Sequence, residues 1–79
     1  MVFDTIKSAL VNELGIDSEL VNEGAYVEKD LELDSTENVV ISLELKKRFG
    51  IDYIFPKNDI TLAEICKTAE EMILEKQPV

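Results

Sequence analysis

The chain has no histidine and a single cysteine, Cys66, among 79 residues. The missing imidazole removes the commonest general base, the commonest metal ligand and every Ser–His or Cys–His nucleophile pair. One cysteine excludes an internal disulfide, and Cys66 stands in an apolar helical stretch where it reads as a small core hydrophobe. No apolar run approaches the ~20 residues that span a bilayer. Cations are scarce: eight Lys and Arg stand against 17 Asp and Glu, a net charge of −9. Such a chain is repelled by nucleic acid and by anionic membranes, and proteins with basic patches are its natural partners. Met1-Val2-Phe3-Asp4 lacks the basic region and apolar stretch of a signal peptide, so a cytoplasmic location is expected. Glu28, Asp30, Glu32 and Asp34 lack EF-hand spacing, so this acidic run reads as a solvated loop and no metal site is expected.

What is present suffices for one small core. Apolar residues make up 46% of the chain, too many for a disordered segment. The length predicts one domain over residues 1–79, of marginal stability. Phe3, Ile6, Leu10 and Leu14 repeat at helical spacing and predict a helix over 3–14, stopped by Gly15. Residues 16–34 show no clean period and read as a long loop with a short helical turn near 18–21. Ile16, Leu20, Val21, Tyr26, Val27, Leu31 and Leu33 would pin it to the core. A loop of this length in a small domain is usually functional. Residues 35–49 predict a second helix, ended by Gly50 and carrying Lys46, Lys47 and Arg48 where cations favour the dipole. Its apolar band of Val39, Ile41, Leu43, Leu45 and Phe49 is wide enough to predict that this helix is the central one. Residues 51–60 read as a loop with a helical turn near 56–59. Thr61-Leu62-Ala63-Glu64 is a capping box opening a last helix. The sum is an all-α, small four-helix bundle, with three main helices, one short one and a long first loop.

The chemistry concentrates at Asp34-Ser35-Thr36, where the loop ends and the second helix begins. Asp and Ser are similarly good N-caps. The Asp34-x-x-Glu37 spacing of a capping box favours Asp34, which leaves Ser35 at the first helical position with its hydroxyl free. Unpaired N–H groups and the helix dipole favour an anion there, by roughly 0.3–1 kcal/mol when exposed. A phosphorylated or phospho-linked serine suits such a place. Catalysis by Ser35 does not, since no histidine can activate it.

Here the sequence resembles the acyl carrier proteins of fatty acid, polyketide and related thiotemplate synthesis. The family's Asp-Leu-Gly-x-Asp-Ser-Leu signature is matched by Asp30-Leu31-Glu32-Leu33-Asp34-Ser35-Thr36. Leu14-Gly15-Ile16, Tyr26, Phe49 and Ile60-Thr61 match further family positions, so the resemblance covers nearly the whole chain. It implies a non-catalytic, monomeric carrier with 4′-phosphopantetheine, taken from coenzyme A, attached to Ser35. A phosphopantetheinyl transferase would attach it, with Asp34 helping to present the serine. The arm's thiol would then hold an acyl group as a thioester for synthases, acyltransferases or ligases. The resemblance also implies a partner surface on the second helix at Thr36, Glu37, Val40, Glu44 and Lys47.

Three departures qualify the match. Thr36 replaces an apolar residue, Glu32 replaces a glycine, and the stretch from Tyr26 to Ser35 is one residue longer. The family's second helix is usually acidic. Residues 35–49 here set two acids against three cations for a net of +1, and the other residues carry −10. Either the cations only steady the helix end, or the partners differ from ordinary fatty acid enzymes. An aminoacyl, peptidyl or unusual-extender-unit carrier of a specialised pathway is the alternative, although the Gly-Gly-Asp-Ser run of peptidyl carriers is missing. An unmodified helical interaction module is a third reading.

Overall fold

The computed structural model of the chain describes residues 2–76. Three α-helices carry the fold: α1 (Val2–Asn12), α2 (Ser35–Phe49) and α3 (Leu62–Lys76). A 3₁₀ turn at Ser18–Leu20 is the short fourth element, at the place where the sequence predicts a helical turn. The regular elements among the described residues are thus all helical, apart from a single antiparallel bridge between Tyr26 and Thr61. Residues 51–60 form a loop as expected. The turn anticipated near 56–59 is a bend at Lys57–Asn58 and not a helical turn.

The core is built on α1, which packs against both α2 and α3. This corrects the expectation that the second helix is central. The physical reason lies in how α2 divides its apolar residues. Ile41 and Leu45 are four apart and fully buried, whereas Val39 and Leu43, also four apart, are 51% and 61% exposed. The wide band is therefore two stripes, one facing the core and one facing solvent. On α1 the buried residues are Val2, Ile6, Ala9 and Leu10, with Phe3 only partly covered, and Leu14, also partly covered, lies in the turn beyond the helix end at Asn12. Val2, Ile6 and Leu10 join Leu62, Ile65 and Ala69 of α3 in one cluster. Full burial of a Leu or Ile side chain stabilises by about 1.5–3 kcal/mol.

The long connection between α1 and α2 is held from both ends. Val21, Ala25, Val27, Leu31 and Leu33 are buried as anchors, while Leu20 and Tyr26 stay at the surface. Its backbone also closes the start of α3. Leu62 N–H donates to the Ala25 carbonyl (3.0 Å) and Ala63 N–H to that of Glu23 (2.9 Å). Thr61 Oγ1 accepts from Glu64 N–H at 3.3 Å, the side-chain half of the anticipated cap.

The turns just before α2 are fixed by a residue about thirty positions away. The Asp59 carboxylate accepts from Glu28 N–H (2.9 Å) and from Lys29 N–H (3.0 Å). Leu31 N–H returns to the Tyr26 carbonyl and Leu33 N–H to that of Val27, both at 3.0 Å. The winding forces Glu32 to φ 54°, the one left-handed residue other than glycine among those described. An L side chain there costs roughly 1–2 kcal/mol, partly offset by the greater flexibility of an unfolded glycine. Glu32→Gly is therefore expected to stabilise the fold by about 0.5–1 kcal/mol, read as a higher urea midpoint at unchanged slope. A lower midpoint would show that the glutamate side chain has a compensating role.

Candidate functional site at the start of the second helix

Asp34 caps α2. Its backbone is extended (φ −100°, ψ −177°), and its carboxylate accepts from Glu37 N–H at 2.9 Å. Glu37 returns the bond, accepting from Asp34 N–H at 3.1 Å. The Asp34 carbonyl accepts from Asn38 N–H, also at 2.9 Å. A capping side chain of this kind contributes about 0.5–2 kcal/mol. At the far end Gly50 takes φ 68°, and its N–H closes on the Lys46 carbonyl at 2.8 Å.

This arrangement settles which residue is the cap and what is left for Ser35. The serine occupies the first helical position, is exposed, and its hydroxyl bonds to no described residue. No described residue accepts from the N–H groups of Ser35 or Thr36 either. Two free donors, the positive end of a 15-residue helix and an accessible hydroxyl therefore coincide at one point.

From Ser35 an open groove of about 270 Å³ runs between α2 and the segment that follows it. Asn38, Val39 and Ser42 form the helical wall, and Tyr53, Ile54 and Phe55 form the other. The second wall is held in place by chemistry the sequence does not announce. Ser42 Oγ donates to the Tyr53 carbonyl at 3.1 Å, and the Tyr53 and Phe55 rings meet edge to face at 5.0 Å. Ile54 is 85% exposed, an unusual position for an isoleucine. The Asn38 Oδ1 is a buried oxygen with no hydrogen-bond partner. Apart from Ser35, and Val39 of the apolar band, none of these groove residues is singled out by the sequence analysis. The only signal was the run Ile51–Pro56, rich in apolar and aromatic residues within a loop.

The residues expected to meet partners lie along α2 with different accessibilities. Thr36 and Lys47 are exposed, while Glu37, Val40 and Glu44 are half-buried. Glu37 is engaged in the cap. Glu44 faces Arg48 at 3.7 Å, and Lys46 pairs with Asp52 at 2.8 Å. The Lys46 ammonium, by hydrogen bond and charge, holds the Asp52 carboxyl below its ordinary range. Two of the three cations thus brace the helix end, and Lys47 has no acidic partner among the described residues. The Lys76 ammonium also donates to the Gly50 carbonyl, tying the ends of α2 and α3 together. The sequence missed Val39 and Leu43 as surface residues because their spacing from each other fits a core stripe as well as a solvent stripe.

Cys66 stands apart from this site, half-buried on α3. Burial, with the nearby charges of Glu70 and Glu23, pushes its thiol up to about 11 from an ordinary 9.0. Thiolate is the reactive form. Alkylation of Cys66 by iodoacetamide at pH 8 is thus expected to be on the order of 100-fold slower than that of a small free thiol. A rate equal to the free thiol's would mean that the side chain is open and unperturbed.

The fold and site together define a helical bundle that presents an unengaged serine at a helix N-terminus, beside a groove and without a catalytic partner. The chain is 34% identical over 74 residues to the acyl carrier protein of Phytoplasma australiense, covering 94% of this chain and 91% of that protein. No protein-family model matches it. The chain belongs to the acyl carrier protein family, and its role is that of a carrier. Among the described residues no helix is long and apolar enough to cross a membrane.

Proposed function

We propose that residues 1–79 act as one carrier domain that holds acyl intermediates on a 4′-phosphopantetheine arm linked to Ser35, as a non-catalytic substrate of cytoplasmic partner enzymes. The observation that carries this reading is the division of labour between neighbours: Asp34 takes the cap with Glu37, and Ser35 keeps an exposed, unbonded hydroxyl. When bound, the arm supplies a terminal thiol on which acyl groups ride as thioesters.

The residues present fit the group. The free N–H groups of Ser35 and Thr36 favour a phosphodiester at Ser35 Oγ. The apolar flank of Val39, Ile54 and Phe55 suits the methyl-bearing part of the arm. Asp34 holds the helix start still, so that Ser35 meets a phosphopantetheinyl transferase in one geometry. Ser35 Oγ loses its proton as it forms the phosphodiester, and no described residue hydrogen-bonds that oxygen to act as the base. That task falls to the transferase.

A second reading concerns the pathway. The outward face of α2 offers Val39 and Leu43 between Thr36 and Lys47, and the helix carries a net of +1 in a chain of −9. An acidic recognition helix suits basic partners, whereas this face suits partners with an apolar pocket and little positive charge. That supports a dedicated carrier of a specialised pathway, loading an amino acid or an unusual extender unit, beside the fatty acid or polyketide reading.

The test is direct. The purified chain is incubated with coenzyme A and a broad-specificity phosphopantetheinyl transferase, then weighed intact. One added phosphopantetheine is expected. An unchanged mass with several transferases overturns the proposal and leaves an unmodified interaction module.

A further inference from the structure

The stretch that delivers the chain to Asp34 and Ser35 is a tight turn whose opening is secured from elsewhere. Its first three N–H groups are all taken by the Asp59–Ile60 pair. Val27 donates to the Ile60 carbonyl (2.9 Å), Glu28 to one Asp59 carboxylate oxygen (2.9 Å) and Lys29 to the other (3.0 Å). The carbonyls of Tyr26, Val27 and Glu28 then accept from Leu31, Leu33 and Glu32 respectively, each at 3.0 Å. The turn closes on Glu32 at φ 54°. The Glu32 side chain is exposed and bonds to no described residue, so nothing of its own holds that angle. Leu33, next in line, is buried, and Asp34 follows as the cap. A series of hydrogen bonds therefore runs from Asp59 to the strained residue, two positions before the start of the cap.

We propose that Asp59 is a positioning residue for loading at Ser35: its carboxylate holds the left-handed turn at Glu32 that sets where the serine stands. This rests on the attachment at Ser35. The physical need comes from Glu32. In the left-handed region Cβ crowds the following carbonyl, so a residue other than glycine keeps that angle only where its surroundings impose it. Asp59 imposes it with both carboxylate oxygens, and a charged acceptor makes stronger bonds than a neutral one. The two bonds lie at the surface. Without Asp59 the Glu28 and Lys29 N–H groups turn to water, so the fold survives and only the turn is released. Val27, Leu31 and Leu33 still anchor the connection to the core, and the Val27–Ile60 bond remains. What is lost is the fixed path from Glu28 to Asp34, and with it the single orientation of Ser35. A transferase then meets a serine that is competent for only part of the time. That weakens its apparent affinity by the same fraction and leaves the chemical step untouched.

The experiment measures initial rates of phosphopantetheine transfer from coenzyme A, read by intact mass, against the concentration of the carrier chain. The chains are wild type, Asp59→Ala, Asp59→Ala combined with Glu32→Gly, and Ile65→Val, each at a temperature where thermal unfolding shows it folded. Amide hydrogen exchange is followed on the same samples. Asp59→Ala is expected to exchange faster at Glu28, Lys29, Glu32 and Leu33. Its KM is expected to rise on the order of 10-fold at unchanged kcat, as when about a tenth of the molecules hold the turn. Adding Glu32→Gly is expected to return KM to within about two-fold of wild type, because glycine takes the left-handed angle without being held. Ile65→Val trims a fully buried core residue and leaves these bonds in place, so it is expected to lower the melting temperature at wild-type KM. Asp59→Ala with a wild-type KM overturns the role of Asp59. So does a rise in KM that Ile65→Val shares or that Glu32→Gly leaves in place. A wild-type chain that gains no mass overturns the attachment reading, and this role with it. Should Asp59→Ala fail to fold, Asp59→Asn, with one acceptor for the two N–H groups, carries the comparison.

Discussion

Ser35→Ala gives a folded protein that gains no phosphopantetheine. The two halves of that result follow from separate observations. The fold survives because Ser35 does no structural work: the cap belongs to Asp34 and Glu37, and the serine hydroxyl bonds to no described residue. Alanine is also the best helix former, so the first turn of α2 is not weakened. A change within ±0.5 kcal/mol is expected for such a surface substitution. The loss of loading is complete because the attacking oxygen is gone. Two other hydroxyls lie nearby, and neither replaces it. Ser42 is part-buried and bonded to the Tyr53 carbonyl. Thr36 is exposed, but its oxygen sits on a branched carbon one residue along the helix, pointing about 100° away around the axis. Intact mass after incubation with coenzyme A and transferase reads the outcome, with thermal unfolding as the control for folding. Full loading of the variant would move the attachment to Thr36 and sink the Ser35 assignment.

The site was legible in the sequence to the extent that its physics is local. The Asp34–Glu37 exchange spans three residues, and the glycine stops at Gly15 and Gly50 depend on one backbone angle each. Such features are written where they act. The lock that fixes the approach to α2 is not, because Asp59 reaches Glu28 and Lys29 across 31 and 30 residues. Nothing in a stretch of loop tells an aspartate which distant N–H groups it will meet. The groove was hidden for the same reason, since its second wall is a loop brought to α2 by Ser42 and by the Tyr53–Phe55 pair. Glu32 is an intermediate case. The family resemblance leads one to expect a glycine at its position, and φ 54° at Glu32 is the left-handed turn that a glycine would take without strain. What periodicity alone assigns wrongly is the direction of a helix with apolar residues on two sides. Val39 and Leu43 pointed to a central α2, and their exposure moves the centre to α1.

That shift predicts a large difference in stability between truncations of two leucines. Leu10→Ala is expected to cost about 2–5 kcal/mol, whereas Leu43→Ala is expected to cost no more than about 0.5 kcal/mol. The two substitutions remove the same atoms, and the sequence would rank the site on the second helix as the more central. Leu10 is fully buried on the helix that touches both others, so its truncation leaves a cavity where α1 packs on its neighbours. Leu43 is 61% exposed, and water fills the space it vacates. A domain of this length has roughly 4–12 kcal/mol of stability in all. Loss of Leu10 therefore consumes a large part of it, lowering the melting temperature by about 8–40 °C. Loading separates the variants in a second way. The capped start of α2 is held by the connection before it, which is itself pinned to the core by Val27, Leu31 and Leu33. Near its melting point, Leu10→Ala should thus lose the ordered Asp34–Glu37 cap and accept phosphopantetheine more slowly, while on cooling it recovers. Leu43→Ala should load at the wild-type rate unless the transferase itself docks on that face, which a raised KM with unchanged kcat would reveal. Equal losses of stability in the two variants would restore α2 as the centre of the fold.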